Sequence, residues 1–250
     1  MRRARTPGES LIRRVDTELS FNVAFYMAGL VSFGTFAVWD WIDFLRGTHR
    51  HPAATTLATI LVLGVGAWRL ILLTKRGVRL FDGARGERAV GTLLDDLRSS
   101  GYLAFHDLEL RAKDSTFNAD HVLVGPAGVF VIETKYSSKP ARGPTEISVE
   151  NGQLLRNGKP VLGNPMGQAI TIAEDVGTKL YEHTGLKPAI TPVVVYPGWF
   201  VADHLEPKCW VLNPERLLSH VRRARRCLSD VEIDRLRKAL DRIDSQRQNW

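Results

Sequence analysis

The residues best equipped for chemistry lie in the stretch Asn118 to Tyr136, NADHVLVGPAGVFVIETKY. Residues 121–124 and 129–132 are short apolar runs rich in β-branched side chains, separated by Gly125-Pro126-Ala127-Gly128. This pattern predicts an antiparallel hairpin with a four-residue turn. If Val124 faces Val129, Asp120 falls opposite Glu133 at a separation of roughly 4.5 to 5.5 Å. Alternation along the strand puts Glu133 and Lys135 on one face and turns the Thr134 side chain away. Two carboxylates that close repel one another. They are accommodated around a hard divalent cation such as Mg²⁺, or else one of them keeps its proton.

This arrangement resembles the PD-(D/E)xK nuclease core, and its wording is similar to the NERD (nuclease-related) domain family in particular. The resemblance takes in Gly83-Ala84-Arg85-Gly86-Glu87 upstream and Asn164-Pro165 with Gln168 downstream, about residues 81 to 200. It implies an α/β fold, a restriction-endonuclease-like mixed sheet core flanked by helices. It also implies that Asp120 and Glu133 hold Mg²⁺ or Mn²⁺ and that Lys135 positions or activates the attacking water. Ala119 stands where the motif has its proline, a residue without a chemical role. Two residues keep two readings each. Glu87, in a first helical turn, is a partner for the helix dipole or, by the resemblance, an extra acid at the metal site. Gln168 is a solvent-facing residue of a helix or, as in relatives of the fold, one that approaches the site.

The expected reaction is metal-dependent hydrolysis of phosphodiester bonds in DNA or RNA, with the Thr134 carbonyl as a further metal ligand. The alternative is a binding module that recognises nucleic acid or a protein partner without cutting. By itself, Glu133-Thr134-Lys135 would be no more than a surface ion pair on a hairpin.

Composition adds a weak constraint. The 34 Lys+Arg against 27 Asp+Glu, with a pI near 9.6, suit a polyanionic partner or an acidic membrane surface. Cys209 and Cys227 are the only cysteines, too far apart in sequence for a zinc motif and too few for a disulfide framework, so a reducing compartment is expected. No P-loop, Rossmann glycine pattern, serine-nucleophile elbow or internal repeat is present.

Ahead of the nuclease-like stretch the chain reads as a membrane anchor. Residues 21–39 contain no charge, close to the roughly 20 residues a spanning helix needs, and end in Trp39-Asp40-Trp41 rather than a cleavage site. A second uncharged run covers residues 52–68 and continues past Arg69, which can snorkel, to Thr74. Arg2, Arg3, Arg5, Arg13 and Arg14 precede the first run and Arg69, Lys75, Arg76 and Arg79 end or follow the second, whereas the loop between carries only Arg46 and Arg50. The positive-inside rule therefore predicts a multi-pass cell-membrane protein with two spans, about 21–43 and 53–74, both termini and the catalytic domain being cytoplasmic. Gly29, Gly34, Gly64 and Gly66 would let the spans pack closely, or have no special role.

The expected organisation is a basic segment 1–20, the hairpin of spans 21–75, the nuclease-like domain 81–212 and a helical pair 213–250. Within it, Gly83 to Gly86 read as a hinge before a helix over 87–97, and 102–110 as the first strand. His106 and Asp107 are adjacent in that strand, point to opposite faces and are read as structural. Asn151-Gly152 and Asn157-Gly158 mark a small β-meander over 147–160, which touches substrate or covers a sheet edge. Asn164-Pro165 opens a helix stopped by Gly185, and 190–196 and 209–212 read as strands. Asn213-Pro214 opens a helix with apolar Leu217, Leu218, Val221 and Leu228, and Ser229 to Glu232 forms a capping box for the last helix. Arg222, Arg223 and Arg226 are a solvated face or a phosphate-binding cluster.

Overall fold

The computed structural model describes residues 9–48, 52–111, 116–140 and 142–246. Arg2, Arg3, Arg5 and Arg50, whose charges bear on the topology, lie outside the described residues. The chain divides into two compact units, Ser10–Phe81 and the part from Asp82 onward.

The first unit contains most of helix α1 (Glu9–Leu45) and the first part of helix α2 (Pro52–Asp95). Ser20–Leu45 and Pro52–Lys75 are both long and apolar enough to cross a membrane. Their large side chains point outward: Phe21, Phe25, Leu57, Leu61 and Trp68 are each more than half exposed. A helix pair in a soluble core would bury them. The two helices are tied by polar groups, Trp41 Nε1 donating to Thr56 Oγ1 at 2.8 Å and Thr59 Oγ1 to the Phe33 carbonyl at 3.3 Å. A Cβ at Gly29, Gly34, Gly64 or Gly66 would meet nothing within 4 Å, so these glycines do not mark a close helix approach.

The second unit is an α/β fold built on a mixed sheet with the order β1-β2-β3-β7-β10-β9. Strands β1 (Leu103–Arg111), β2 (Thr116–Gly125) and β3 (Gly128–Thr134) form an antiparallel meander. β7 (Ile190–Val195) lies parallel to β3, β10 (Cys209–Leu212) parallel to β7, and β9 (His204–Glu206) antiparallel at the edge. β3 is buried along its whole length, as expected for a central strand covered on both faces. Helices α3 (Pro165–Thr184) and α5 (Asp230–Gln246) cover one face, where Val176, Leu180, Leu236 and Leu240 pack on Val122, Val124, Val129 and Val131. The other face carries Leu123, Phe130, Ile132 and Val193 against Val90 and Leu94 of α2 and Leu217 and Val221 of α4 (Pro214–Arg223).

Local signals account for most element ends. Asn164 and Asn213 accept the N–H groups of Gly167 and Arg216 at 2.9 and 2.8 Å, each just ahead of a proline at the first helical turn. Ser229 and Glu232 form the reciprocal capping box of α5. Gly185 ends α3 in the left-handed region. Asn151-Gly152 and Asn157-Gly158, all at positive φ, turn the meander β4 (Glu146–Glu150), β5 (Gln153–Arg156) and β6 (Lys159–Pro160). With β8 (Phe200–Val201) this meander forms a second sheet, β6-β5-β4-β8.

Two expectations are corrected. Gly83 to Gly86 are not a hinge: they are helical residues of α2, which continues to Asp95 and tightens into a 3₁₀ turn over Asp96–Ser100. Gly86 instead admits an aromatic neighbour, since a Cβ there would lie 3.2 Å from Cδ2 of Tyr136. α4 stops at Arg223, so Leu228 is not on its apolar face; it packs in the loop against the α3/α5 cluster.

Candidate active site

The hairpin places its carboxylates by register. Val124 pairs with Val129 and His121 with Ile132, and one step further Asp120 comes level with Glu133. The turn beneath is held tight because Gly125 leaves no room for a Cβ beside the Tyr102 ring. On β3 the period-two alternation sends Phe130 and Ile132 to the α2/α4 face and Val129 and Val131 to the α3/α5 face. Glu133 continues the second row and is buried. Asp120 continues the row of Val122 and Val124, and its Oδ2 accepts the Thr134 N–H at 2.8 Å.

Lys135 closes the group from the end of the sheet. Its Nζ donates to Glu133 Oε1 at 2.6 Å and to Gln168 Oε1 at 2.9 Å. Gln168 lies in the first turn of α3, so the Asn164 cap that starts the helix also sets the amide that holds the lysine. Gln168 thus meets Lys135 while remaining exposed, so the structure holds features of both readings.

Glu87 belongs to the same electrostatic group. Burial pushes its carboxyl up to about 7, Asp107 and Glu133 add to the shift, and Lys135 offsets part of it. The Asp120 carboxyl is held well above the usual range, first by burial, then by Glu133 and Glu87, with the Thr134 N–H and Lys135 acting against the shift. One lysine thus faces several carboxyl groups, of which Glu87 and Asp120 are pushed toward their protonated forms.

Asp107 was not expected here. It sits at φ +52°, and the alternation of β1 breaks at it: Phe105, Leu108 and Leu110 all pack in the α3/α5 cluster, although residues three apart in a regular strand face opposite sides. Among β1 residues Asp107 lies across from Asp120, between the pairs His106 with His121 and Leu108 with Ala119. It accepts from Asn118 Nδ2 at 3.1 Å and raises Glu87. The signal for it was an aspartate in mid-strand, one of the few side chains that tolerates left-handed backbone. A valine at this position should destabilise the protein by about 1–3 kcal/mol, whereas Asp107→Asn should cost less than about 1 kcal/mol. Thermal melts of the two variants decide; equal losses would show that charge rather than backbone is what matters.

His106 points the other way. Its Nδ1 lies 2.9 Å from Nδ1 of His121, so one ring donates and the other accepts, and its Nε2 is 3.5 Å from Asp95. Burial, and then His106, pushes His121 down to about 3. This buried pair is on the α2 side of the sheet. Arg222, Arg223 and Arg226 are exposed at the α4–α5 connection.

No group of three or more His, Cys, Asp or Glu side chains placed to hold a metal occurs among the described residues. Mg²⁺ needs fewer, since it keeps several waters and is held by one or two carboxylates. Asp120 and Glu133, hard oxygen donors level with each other across the hairpin, fit that requirement.

No curated protein and no solved structure matches the chain. The family described as Nuclease-related domain, NERD, matches residues 82–197, a stretch that contains Glu87, Asp107, Asp120, Glu133, Lys135 and Gln168. Over residues 82–197 the chain is therefore similar to a nuclease-related domain.

Proposed function

We propose that this protein is a membrane-anchored, divalent-metal-dependent nuclease that hydrolyses phosphodiester bonds of DNA or RNA on the cytoplasmic side. The observation that carries the reading is the convergence of Asp120, Glu133, Lys135 and Gln168 within a nuclease-related domain of the PD-(D/E)xK type that its family name implies. Asp120, Glu133 and the Thr134 carbonyl would hold Mg²⁺ or Mn²⁺. When bound, such an ion supplies Lewis-acid catalysis and charge neutralisation at the phosphate. An ammonium has three N–H donors, and Glu133 and Gln168 take two of those on Lys135. The third is left to orient the attacking water and to offset the charge that builds on the phosphoryl oxygens. Glu87 stands beside them as a further acid.

A second reading has its own support. Lys135 already neutralises Glu133, and no larger metal-ligating group occurs among the described residues, which favours a module that binds nucleic acid or a partner without cutting. The full chain, purified in detergent micelles, should cleave labelled single- or double-stranded DNA or RNA with Mg²⁺ or Mn²⁺ and not with EDTA. Binding without cleavage under every condition would put the module in front.

The outward-facing apolar side chains of Ser20–Leu45 and Pro52–Lys75 support two spans, with the basic flanks on the cytoplasmic side. A cysteine replacing Thr48 should react with an impermeant thiol reagent from outside the cell. The native exposed Cys227 should react only after the membrane is opened. The reverse pattern would place the domain away from cellular nucleic acid and end the nuclease reading.

A further inference from the structure

The small second sheet brings a guanidinium to the rim of the acidic group. Arg156 ends β5, is exposed, and donates from Nη1 to Ser137 Oγ at 2.5 Å. Ser137 stands two residues beyond Lys135, so their Cα atoms are at most about 7 Å apart. The Arg156 fork is therefore held at a position two residues along the chain from Lys135.

Both ends of the Arg156–Ser137 contact are supported. Buried Trp199 donates from Nε1 to the Ser137 carbonyl at 2.8 Å. The sheet that carries Arg156 is fixed by Ile147 and Leu154, which pack with Val194, Tyr196, Trp199 and Ala169, the neighbour of Gln168 on α3. Lys139 follows along the same segment, lying against Gly198 with Nζ 3.8 Å from where a Cβ would stand. Lys135 and Lys139 thus flank Ser137 in the same segment, and Arg156 is bonded to Ser137 between them.

The chemistry of Arg156 is that of an anion site in waiting. Its hydrogen-bond partner is the neutral Ser137 hydroxyl, and it forms no ion pair with a carboxylate among the described residues. A guanidinium has five N–H donors in a planar fork that matches a phosphate, so the bond to Ser137 aims the fork without neutralising it.

We propose that Arg156, aimed by Ser137, binds the phosphate next to the one attacked, so that the β4–β5–β6 sheet is a platform for the nucleic-acid backbone rather than a cover for the sheet edge. The inference rests on the nuclease reading. It adds to that reading a binding residue contributed by a different sheet.

The test measures binding rather than cleavage. Full-length protein in detergent micelles is titrated onto short fluorescein-labelled single-stranded DNA, duplex DNA and RNA in EDTA over a range of KCl concentrations. Arg156→Ala should weaken binding about three- to tenfold, and the slope of log Kd against log salt should fall by about 0.7 to 0.9, one phosphate contact's worth of counterion release. Arg156→Lys should keep that slope while losing part of the affinity, because it retains the charge and loses the fork. Unchanged affinity and slope in Arg156→Ala, with wild type binding, would overturn the phosphate site and leave the nuclease reading standing. A lowered melting temperature with weaker binding at an unchanged slope, in both variants, would overturn it in favour of a structural role. Absence of wild-type binding to all three probes at low salt would overturn the nuclease reading and this site together.

Discussion

Asp120→Asn and Glu133→Gln should each lower strand cleavage by about 10²- to 10⁴-fold, the loss expected when several kcal/mol of metal-derived transition-state stabilisation disappears. Both variants should stay folded without metal. Asparagine retains an oxygen to accept the Thr134 N–H, and either change relieves the repulsion by which Glu133 and Glu87 raise the charging cost of Asp120. The second readout is stability. A ligand that binds only the native state stabilises it by mass action, about 2.7 kcal/mol at a hundred times its Kd. Added Mg²⁺ or Mn²⁺ should therefore raise the melting temperature of the wild type but not of the two variants. Lys135→Ala should separate the readouts, losing cleavage while keeping a metal response, because an ammonium is not a ligand. Persistent cleavage in Glu133→Gln, or identical metal responses in wild type and both carboxylate variants, would sink the site as drawn.

The second large effect is electrostatic and needs no substrate. Glu87 titrates near 7 in the folded, metal-free protein against an ordinary value of 4.5. Between those values the native state holds a proton that the unfolded chain has released, so this group's contribution to stability falls as pH rises through the window and stays low above it. His106 and His121 act in the opposite sense. Their lowered values mean that the unfolded chain takes up protons first as pH drops below about 6.5, which costs stability on the acid side. The absolute pH profile therefore mixes both, and the informative quantity is the difference between wild type and Glu87→Gln. That difference should be near zero below pH 4.5 and should grow to the order of 1–3 kcal/mol in favour of the variant at pH 7 and above. Melting curves in EDTA across this range measure it. A difference that stays constant with pH would show that Glu87 is not held away from its charged form.

A good part of this molecule was legible along the chain. The hairpin register follows from turn chemistry and period-two alternation, so Val124 opposite Val129 and Asp120 level with Glu133 were available without a fold. The starts of α3, α4 and α5 were equally local, because an asparagine before a proline and a serine three residues before a glutamate satisfy N–H groups within one turn. The two apolar runs needed only counting. Gly83 to Gly86 are helical rather than a hinge because glycine's weak helical preference is easily outvoted: Gly86 lies where the Tyr136 ring packs, and a Cβ there would crowd it.

What remained undetermined in the sequence was every contact between elements far apart in the chain. Gln168 had two readings until packing of α3 on the valine face of β2 and β3 brought its amide to Lys135. Period-two alternation sends Asp107 away from His106 and says no more; the left-handed turn of its own backbone, which no such pattern encodes, puts it across from Asp120. Arg156 became a neighbour of the site only because apolar contacts from the second sheet to α3, β7 and Trp199 seat it there. Period and turn chemistry act over a few residues, and so they determined the carboxylate pair. Bringing α2, β1, α3 and β5 around that pair is the outcome of burying three separate apolar clusters at once, and only the tertiary structure decides it.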